Sequence, residues 1–288
     1  MPELPEVETV KRGLLRLIVG KQIAEVTHDT SKSFPNTGAD VQEFLIGGRI
    51  IDVRRRAKVL LVDLDSNYTL VIHLKMTGQL VFVGSERWGA GHPSDSFVND
   101  LPDKSTRVEF TFDDKTKLFF NDQRKFGWVK LYPTIEVPNI DFMKRVGPEP
   151  LEDDFTAEAF RERFARRART NIKAALLDQT VVAGVGNIYA DEALWGAKIH
   201  PRRLVNTITD QEFEKLYHAV REVMNLSIEK GGSSNHTYRD AEGNKGSYMQ
   251  FANVFRREGK PCNRCGTTIE KLRVAGRGTH ICPHCQVE

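Results

Sequence analysis

All four cysteines of the chain stand near its C-terminus, as Cys262-x2-Cys265 and Cys282-x2-Cys285, with sixteen residues between the pairs. No other feature restricts the fold as tightly. Each Cys-x2-Cys pair can form a knuckle that aims two thiolates at one ion, and two knuckles close a tetrahedral four-sulfur site. The segment between them is long enough for a β-hairpin but too short to bury a core, so a metal would supply its folding free energy. Two disulfides or four reduced thiols are the alternatives. A chain with no cysteine elsewhere and no export signal argues against disulfides. His280 and His284 could in principle replace a cysteine, but two complete pairs leave little need for them. One structural Zn2+ per chain, on Cys262, Cys265, Cys282 and Cys285, is therefore expected. Such a closed shell leaves no position for a reactive water, so any chemistry must come from elsewhere.

The remainder is long enough for two further cores. Leu4, Val7, Val10, Leu14, Leu15 and Ile18 recur at helical spacing. Short apolar runs follow at 48–54, 59–63, 69–74, 79–83, 107–112, 117–121 and 128–131, several alternating with polar residues, which predicts a sandwich or barrel. Residues 84–105 are rich in Gly, Ser, Pro and Asp and read as an excursion between strands. Pro133, Pro138, Pro148 and Pro150 mark 133–150 as a linker. Beyond it the pattern is helical: Asp154 is the expected N-cap of a helix to Arg167, and Thr170 of one to Leu177. Gly184-Val-Gly-Asn187 makes a turn before a helix over 188–195, and 210–230 is a long helix. Residues 231–250 carry Gly, Ser and polar side chains and read as a loop.

Hydrophobic residues make up 40% and charged residues 28% of the chain, an ordinary globular profile, and no apolar run is long enough to cross a bilayer. The opening residues lack the basic-then-apolar pattern of a signal peptide, so a cytoplasmic location is expected. Net charge is only +3, but basic residues cluster. Residues 161–173 hold six basic residues and one acid, 256–288 hold seven and three, and Arg54, Arg55, Arg56 and Lys58 form a third group. Such islands fit either a positive face for a polyanion or ordinary solvated patches.

The N-terminus offers a nucleophile. Removal of Met1 would make Pro2 a terminal secondary amine, and an α-amino group titrates near pH 8, far below lysine. Such an amine can attack a sugar C1′ and form an iminium, with the adjacent Glu3 as acid or base. Taken alone, Pro2-Glu3 reads rather as an ordinary start of a helix, with proline and acids in the first turn.

Met1-Pro-Glu-Leu-Pro-Glu-Val-Glu-Thr9 joined to a four-cysteine tail resembles the bacterial formamidopyrimidine-DNA glycosylases, also called 8-oxoguanine DNA glycosylases. The likeness recurs at Arg55-Arg-Ala-Lys58, Ile72-His-Leu74, Asp122-x-Arg124-x-Phe126-Gly127, Gly147-Pro-Glu-Pro-Leu151, Gly184-Val-Gly-Asn-Ile-Tyr-Ala190 and Gly276-Arg-Gly-Thr279. The resemblance implies Pro2 as nucleophile and Glu3 as the group assisting base departure and ring opening. It implies Lys58 as a phosphate contact and proton donor in β-elimination. His73 and Asn187 would contact DNA, and Arg277 would grip phosphate and act in δ-elimination. Met76, Arg124 and Phe126 would fill the gap left when a damaged nucleotide swings out, since chemistry at a base requires extrusion from the stack. Glu6 and Glu192 would line the lesion pocket, and the 231–250 loop would close over the extruded base. The sequence departs from the common pattern at Ser105, Lys75 and Phe255-Arg256, none of them at Pro2.

The expected architecture is α+β. A β-sandwich domain with flanking helices over 1–132 is followed by the 133–150 linker. A helical domain with a helix–two-turn–helix motif spans 151–253, and a zinc-finger β-hairpin spans 254–288. The expected partner is double-stranded DNA carrying oxidised purines or abasic sites, bound by a monomer with no membrane association. The alternatives are a relative of endonuclease VIII acting on oxidised pyrimidines, or a zinc-dependent DNA-binding protein without catalysis.

Overall fold

The computed structural model describes residues 2–233 and 248–288. The chain divides into two compact units: Met1–Lys144 with Gly231–Gly246, and Arg145–Lys230 with Ser247–Glu288.

The first unit opens with helix α1 (Leu4–Ile18), whose predicted apolar stripe is buried at Leu4, Val7, Val10, Leu14 and Ile18. Among the described residues nine strands follow: β1 (Ile23–His28), β2 (Ile50–Arg56), β3 (Val59–Leu64), β4 (Tyr68–His73), β5 (Gly78–Val83), β6 (Arg87–Gly91), β7 (Thr106–Phe112), β8 (Lys117–Asp122) and β9 (Trp128–Pro133). They form two antiparallel sheets, one in the order β1-β7-β8-β5-β6 and one in the order β2-β3-β4-β9. The main core is the sandwich filling. Leu60, Val62, Leu70, Ile72 and Val129 from one sheet meet Leu80, Phe82, Phe110, Phe112 and Phe120 from the other, with Val10 and Leu14 of α1 beside them.

Two strands were not expected. β6 lies inside the predicted excursion at 84–105, and β1 carries too few buried residues to show an apolar pattern. The expected linker begins as part of this unit. Thr134–Asn139 forms a 3-10 turn and Asp141–Arg145 a short helix. Val137, Ile140, Phe142 and Met143 pack on Val59, Leu61 and Val71, covering the outer face of the four-stranded sheet. This is why β3 is buried on both faces.

The second unit is helical: α2 (Ala157–Phe164), α3 (Ile172–Leu177), α4 (Asn187–Gly196) and α5 (Asp210–Glu229). Two helices start later than expected. Thr156, not Asp154, caps α2 by accepting from Ala159 N at 3.2 Å, and Asn171, not Thr170, caps α3 by accepting from Ala174 N at 2.8 Å. The tail folds as a hairpin of β10 (Glu270–Val274) and β11 (Arg277–Ile281). Among the described residues no helix is long and apolar enough to cross a membrane.

Candidate functional site

Helix α1 starts with its acids engaged. Glu3 is the N-cap, and its backbone N–H donates to Glu6 Oε2 at 2.9 Å. Carboxylates at a helix N-terminus are favoured by the partial positive charge there. The second oxygen of Glu6 accepts from Ser233 N at 2.8 Å. Glu6 thereby holds the entry of the segment expected to cap a lesion, while residues 234–247 of that segment lie outside the described residues. Pro2, Glu3 and Glu6 are all buried. Further along α1, Glu8 Oε2 accepts from Arg55 Nε at 3.0 Å, tying the helix to the end of β2. Burial pushes the Glu8 carboxyl up, but Arg55 and Lys11 outweigh it and hold it below the ordinary carboxylate range.

Strand register collects the other residues of this unit at one sheet edge. Arg56 pairs with Val59, Val59 with His73, and His73 with Trp128, forming one transverse row at the end of the four-stranded sheet. Lys58 occupies the turn just before Val59, where Ala57 adopts a left-handed φ of 52°. Lys58 is itself buried, at 7% exposure. Met76 lies three residues beyond His73 in this row, and Phe126 two residues before Trp128, so both leave the sheet at the same end. His73 Nδ1 accepts the Lys75 backbone N–H at 3.1 Å. Burial, reinforced by the positive charges of Lys75 and Lys58, pushes the imidazole down to about 3. The ring is therefore neutral at physiological pH, and the occupied Nδ1 leaves the proton on Nε2 as a donor.

The turns carrying Met76 and Arg124–Phe126 run side by side. One leaves the four-stranded sheet at His73 and enters the five-stranded sheet at Gly78. The other leaves the five-stranded sheet at Asp122, the partner of Gly78, and returns at Trp128, the partner of His73. Phe126 is 46% exposed, with the Arg124 guanidinium 4.9 Å and the Lys32 ammonium 5.6 Å from its ring centroid. An aromatic displayed between two cations is not a core residue, and it suits stacking on a base beside phosphates. Met76 is half-buried.

In the second unit, Asn187 is the first residue of α4, and its Nδ2 donates to Gly278 O at 2.9 Å. Arg277 is exposed at the start of β11, after a hairpin turn whose two central residues, Ala275 (φ 49°) and Gly276 (φ 75°), are left-handed as a type I′ turn requires. Asn187 and Arg277 are thus neighbours at the hairpin tip. A fully buried network fixes them there. Lys173 Nζ on α3 donates to Asp191 Oδ1 (2.6 Å) and Thr279 Oγ1 (2.7 Å), while Asp191 Oδ2 accepts from His280 N at 2.9 Å. Lys173 and Asp191 are both 0% exposed, so removing either partner would strand a buried charge at a cost of about 3–5 kcal/mol.

Glu192 is not available to a pocket. Its Oε1 accepts from Val254 N and Phe255 N at 2.9 and 2.8 Å, and its Oε2 from Asn253 N and Nδ2 at 2.8 and 3.3 Å. Burial raises its pKa against these bonds. Glu192 is a strut that fixes the chain entering the zinc module, and the expectation of a lesion-lining carboxylate at this position is corrected.

The Sγ atoms of Cys262, Cys265, Cys282 and Cys285 all lie within 4.8 Å of one another. A tetrahedral zinc with bonds of about 2.3 Å separates its sulfurs by roughly 3.8 Å, so the cluster fits one ion. The backbone N–H groups of Arg264 and Cys285 point at Cys262 Sγ and Cys282 Sγ, both at 3.4 Å, as in a thiolate knuckle. Without a cation the four would not ionise together. Thr267 pulls Cys265 down to about 6, whereas burial pushes Cys282 up to about 12. His280 is engaged with Asp191, and His284 is exposed, so neither displaces a cysteine.

Sequence reasoning gave no role to Thr77 or Asp191, and Asp122 appeared only as the first residue of the Asp122-x-Arg124-x-Phe126-Gly127 motif. Lys173 was counted in the basic island at 161–173, but it is fully buried against Asp191 and presents no surface charge.

The formamidopyrimidine-DNA glycosylase N-terminal domain matches residues 1–129, the formamidopyrimidine-DNA glycosylase H2TH domain residues 146–239, and a zinc finger found in FPG and IleRS residues 259–287. The chain is 43% identical over 288 residues to a formamidopyrimidine-DNA glycosylase of Pediococcus pentosaceus, covering 100% of this chain and 99% of that one. It is also 43% identical to one of Herpetosiphon aurantiacus, covering 99% and 100%. Among solved structures, a Lactococcus lactis FPG mutant bound to DNA containing Fapy-dG superposes with a TM-score of 0.87 at 35% identity, covering 100% of both chains. A MutM complex with DNA containing carbocyclic 8-oxo-G gives 0.86 at 35% identity over the same extent.

Proposed function

Because this chain belongs to the formamidopyrimidine-DNA glycosylase family, we propose that the terminus at Pro2 and the residues of the sheet edge beside β3 and β4 carry out its reaction. The protein is a base-excision-repair DNA glycosylase with lyase activity, acting on damaged DNA.

With Met1 removed, the Pro2 amine attacks C1′ of the damaged nucleotide while the bond from C1′ to the base breaks. Glu3 supplies a proton as the sugar ring opens, leaving an iminium between Pro2 and C1′. Loss of a C2′ proton then expels the 3′ phosphate, and a second elimination expels the 5′ phosphate. Lys58 serves as phosphate contact and proton donor in the first of these steps, and Arg277 steadies phosphate during the second. Addition of water to the remaining iminium and release of the sugar fragment as its aldehyde return the amine.

His73, as a neutral Nε2–H donor, contacts a phosphate, as does the N-terminus of α4 at Asn187. Met76, Arg124 and Phe126 occupy the space vacated by the extruded nucleotide. Glu6 anchors the segment that closes over it. One Zn2+ per chain holds the tail and supplies no chemistry. The domains divide this work: 1–132 catalytic, 151–253 helical DNA-binding, and 254–288 the zinc finger, joined through 133–150. The protein acts as a monomer on chromosomal DNA in the cytoplasm.

The observation carrying this reading is the single row Arg56, Val59, His73 and Trp128, which brings Lys58, His73, Met76 and Phe126 to one edge. Specificity is tested with duplexes that each contain one defined lesion. Excision of 8-oxoguanine opposite cytosine and of ring-opened purines, far faster than thymine glycol, is expected. Faster excision of the oxidised pyrimidine would favour the endonuclease VIII-like alternative.

A further inference from the structure

We infer that Asp122 and Thr77 are positioning residues that lock the Met76 turn to the Arg124–Phe126 turn, so that the three side chains enter the DNA as one preformed wedge. The inference rests on the proposed gap-filling role of those three residues.

Asp122 ends β8 and is 0% exposed. Its Oδ2 accepts from Phe126 N at 2.8 Å and Gly127 N at 2.6 Å, and its Oδ1 from Arg124 N at 3.1 Å. One carboxylate therefore gathers the backbone of its own turn. The Thr77 hydroxyl, on the neighbouring turn, donates to Asp122 Oδ1 and accepts from Arg124 N at 3.1 Å. Thr77 is thus the hydrogen-bonded bridge between the turns, and its hydroxyl is used in both directions. Among the described residues no ion pair to Asp122 is found. A buried carboxylate of this kind is costly unless hydrogen bonds satisfy it, so its bonds are not interchangeable with water.

Two further features show that both turns are over-determined. A left-handed lysine stands immediately before two of the three inserted side chains: Lys75 (φ 51°) before Met76 and Lys125 (φ 55°) before Phe126. Non-glycine residues hold that conformation only where the surroundings enforce it. Both turns also close on glycines that tolerate no side chain. A Cβ at Gly78 would lie 2.3 Å from Leu74 O, and one at Gly127 would lie 2.6 Å from the Phe120 ring and 3.1 Å from Asp122 Oδ2. The side chains that must fill a gap in the stack are thereby aimed before DNA arrives, which lowers the ordering cost at insertion.

The test is a double-mutant cycle read in single-turnover excision from an 8-oxoguanine duplex. Thr77→Val keeps the shape and removes the bridge, and Thr77→Ser keeps the hydroxyl. Thr77→Val is expected to slow excision roughly tenfold, as misplacement of positioned groups does, and Thr77→Ser to restore it. Cleavage of an abasic site in single-stranded DNA, where there is no stack to fill, should be unchanged. Met76→Ala and Phe126→Ala should be strongly non-additive with Thr77 present and should become independent in the Thr77→Val background. Wild-type excision by Thr77→Val, an equal loss on the single-stranded abasic site, or coupling unaffected by Thr77→Val would each overturn the inference. If Met76→Ala and Phe126→Ala are themselves silent, the gap-filling reading fails instead. Should Thr77→Val not fold, Thr77→Ser and Thr77→Ala carry the same comparison, and equal excision by those two overturns the bridge.

Discussion

His73 shows how neighbours set the chemistry of a single side chain. A free imidazole would gain charge near pH 6.5 and grip phosphate more tightly in acid. Here burial and two lysines keep it neutral down to about 3. Below about pH 6.5 the unfolded chain binds a proton that the folded chain refuses, so stability falls as pH drops through that window. His73→Gln is expected to be less stable than wild type at pH 7, with the gap narrowing towards pH 4 in denaturant titrations; parallel curves would refute the neutral assignment. Arg277, exposed at the hairpin tip, is expected to act through charge alone. Arg277→Ala should weaken binding to damaged and undamaged duplex alike, and the slope of log affinity against log salt should become shallower by about one unit. An unchanged slope would remove Arg277 from the contact surface. Most of these residues were legible through local motifs. Glu192 was not, because the four donors that occupy it come from residues 253–255, far along the chain. A sequence does not display which distant backbone a carboxylate will satisfy.

At the scale of elements, periodicity revealed what is half-buried and regular. α1 and α5 are amphipathic, and β3, β4, β5, β7, β8 and β9 carry apolar side chains into the sandwich. The two missed strands lack that signature for separate reasons. β1 buries only Ile23 fully, so its sequence does not alternate. β6 contains Gly89, where a Cβ would lie 2.6 Å from the Phe97 ring, and Gly91. Close packing therefore demanded the glycines that made the strand read as a loop. The zinc module was the most legible element, because two knuckles at fixed spacing encode their own geometry. Its attachment was not: Lys173, Asp191 and Thr279 become partners only when α3, α4 and β11 meet. Cys265→Ser should lose the metal and weaken DNA binding while leaving the thermal transition of the sandwich unit nearly unchanged, since ion affinity here is also folding free energy. One zinc retained per chain, with full DNA affinity, would show that the four cysteines do not hold the ion together.

For the whole molecule, charge was a poorer guide than order of motifs. Several arginines of the basic islands serve internal contacts. Arg161 pairs with Asp210, Arg167 with Asp178 and Arg54 with Asp63, and Arg163 donates to Thr180 O. The islands are therefore not by themselves a DNA-binding face. What identified the chain was the succession of Pro2-Glu3, Lys58, the Asp122–Gly127 motif, the turn before Asn187 and the cysteine pairs, each in a different element and none informative alone. The fold assembles the first three of these in one unit and the last two in the other. The central claim is that the N-terminal amine acts as the nucleophile, that Glu3 and Lys58 move protons for its reaction, and that the remaining site residues position the DNA. Borohydride reduction during turnover of an 8-oxoguanine duplex, followed by peptide mass spectrometry, tests it most directly. A stable protein–DNA adduct carried on Pro2, with Met1 absent, is the expected result. An adduct on Lys58, or no adduct from an enzyme that still cleaves the strand, would contradict it.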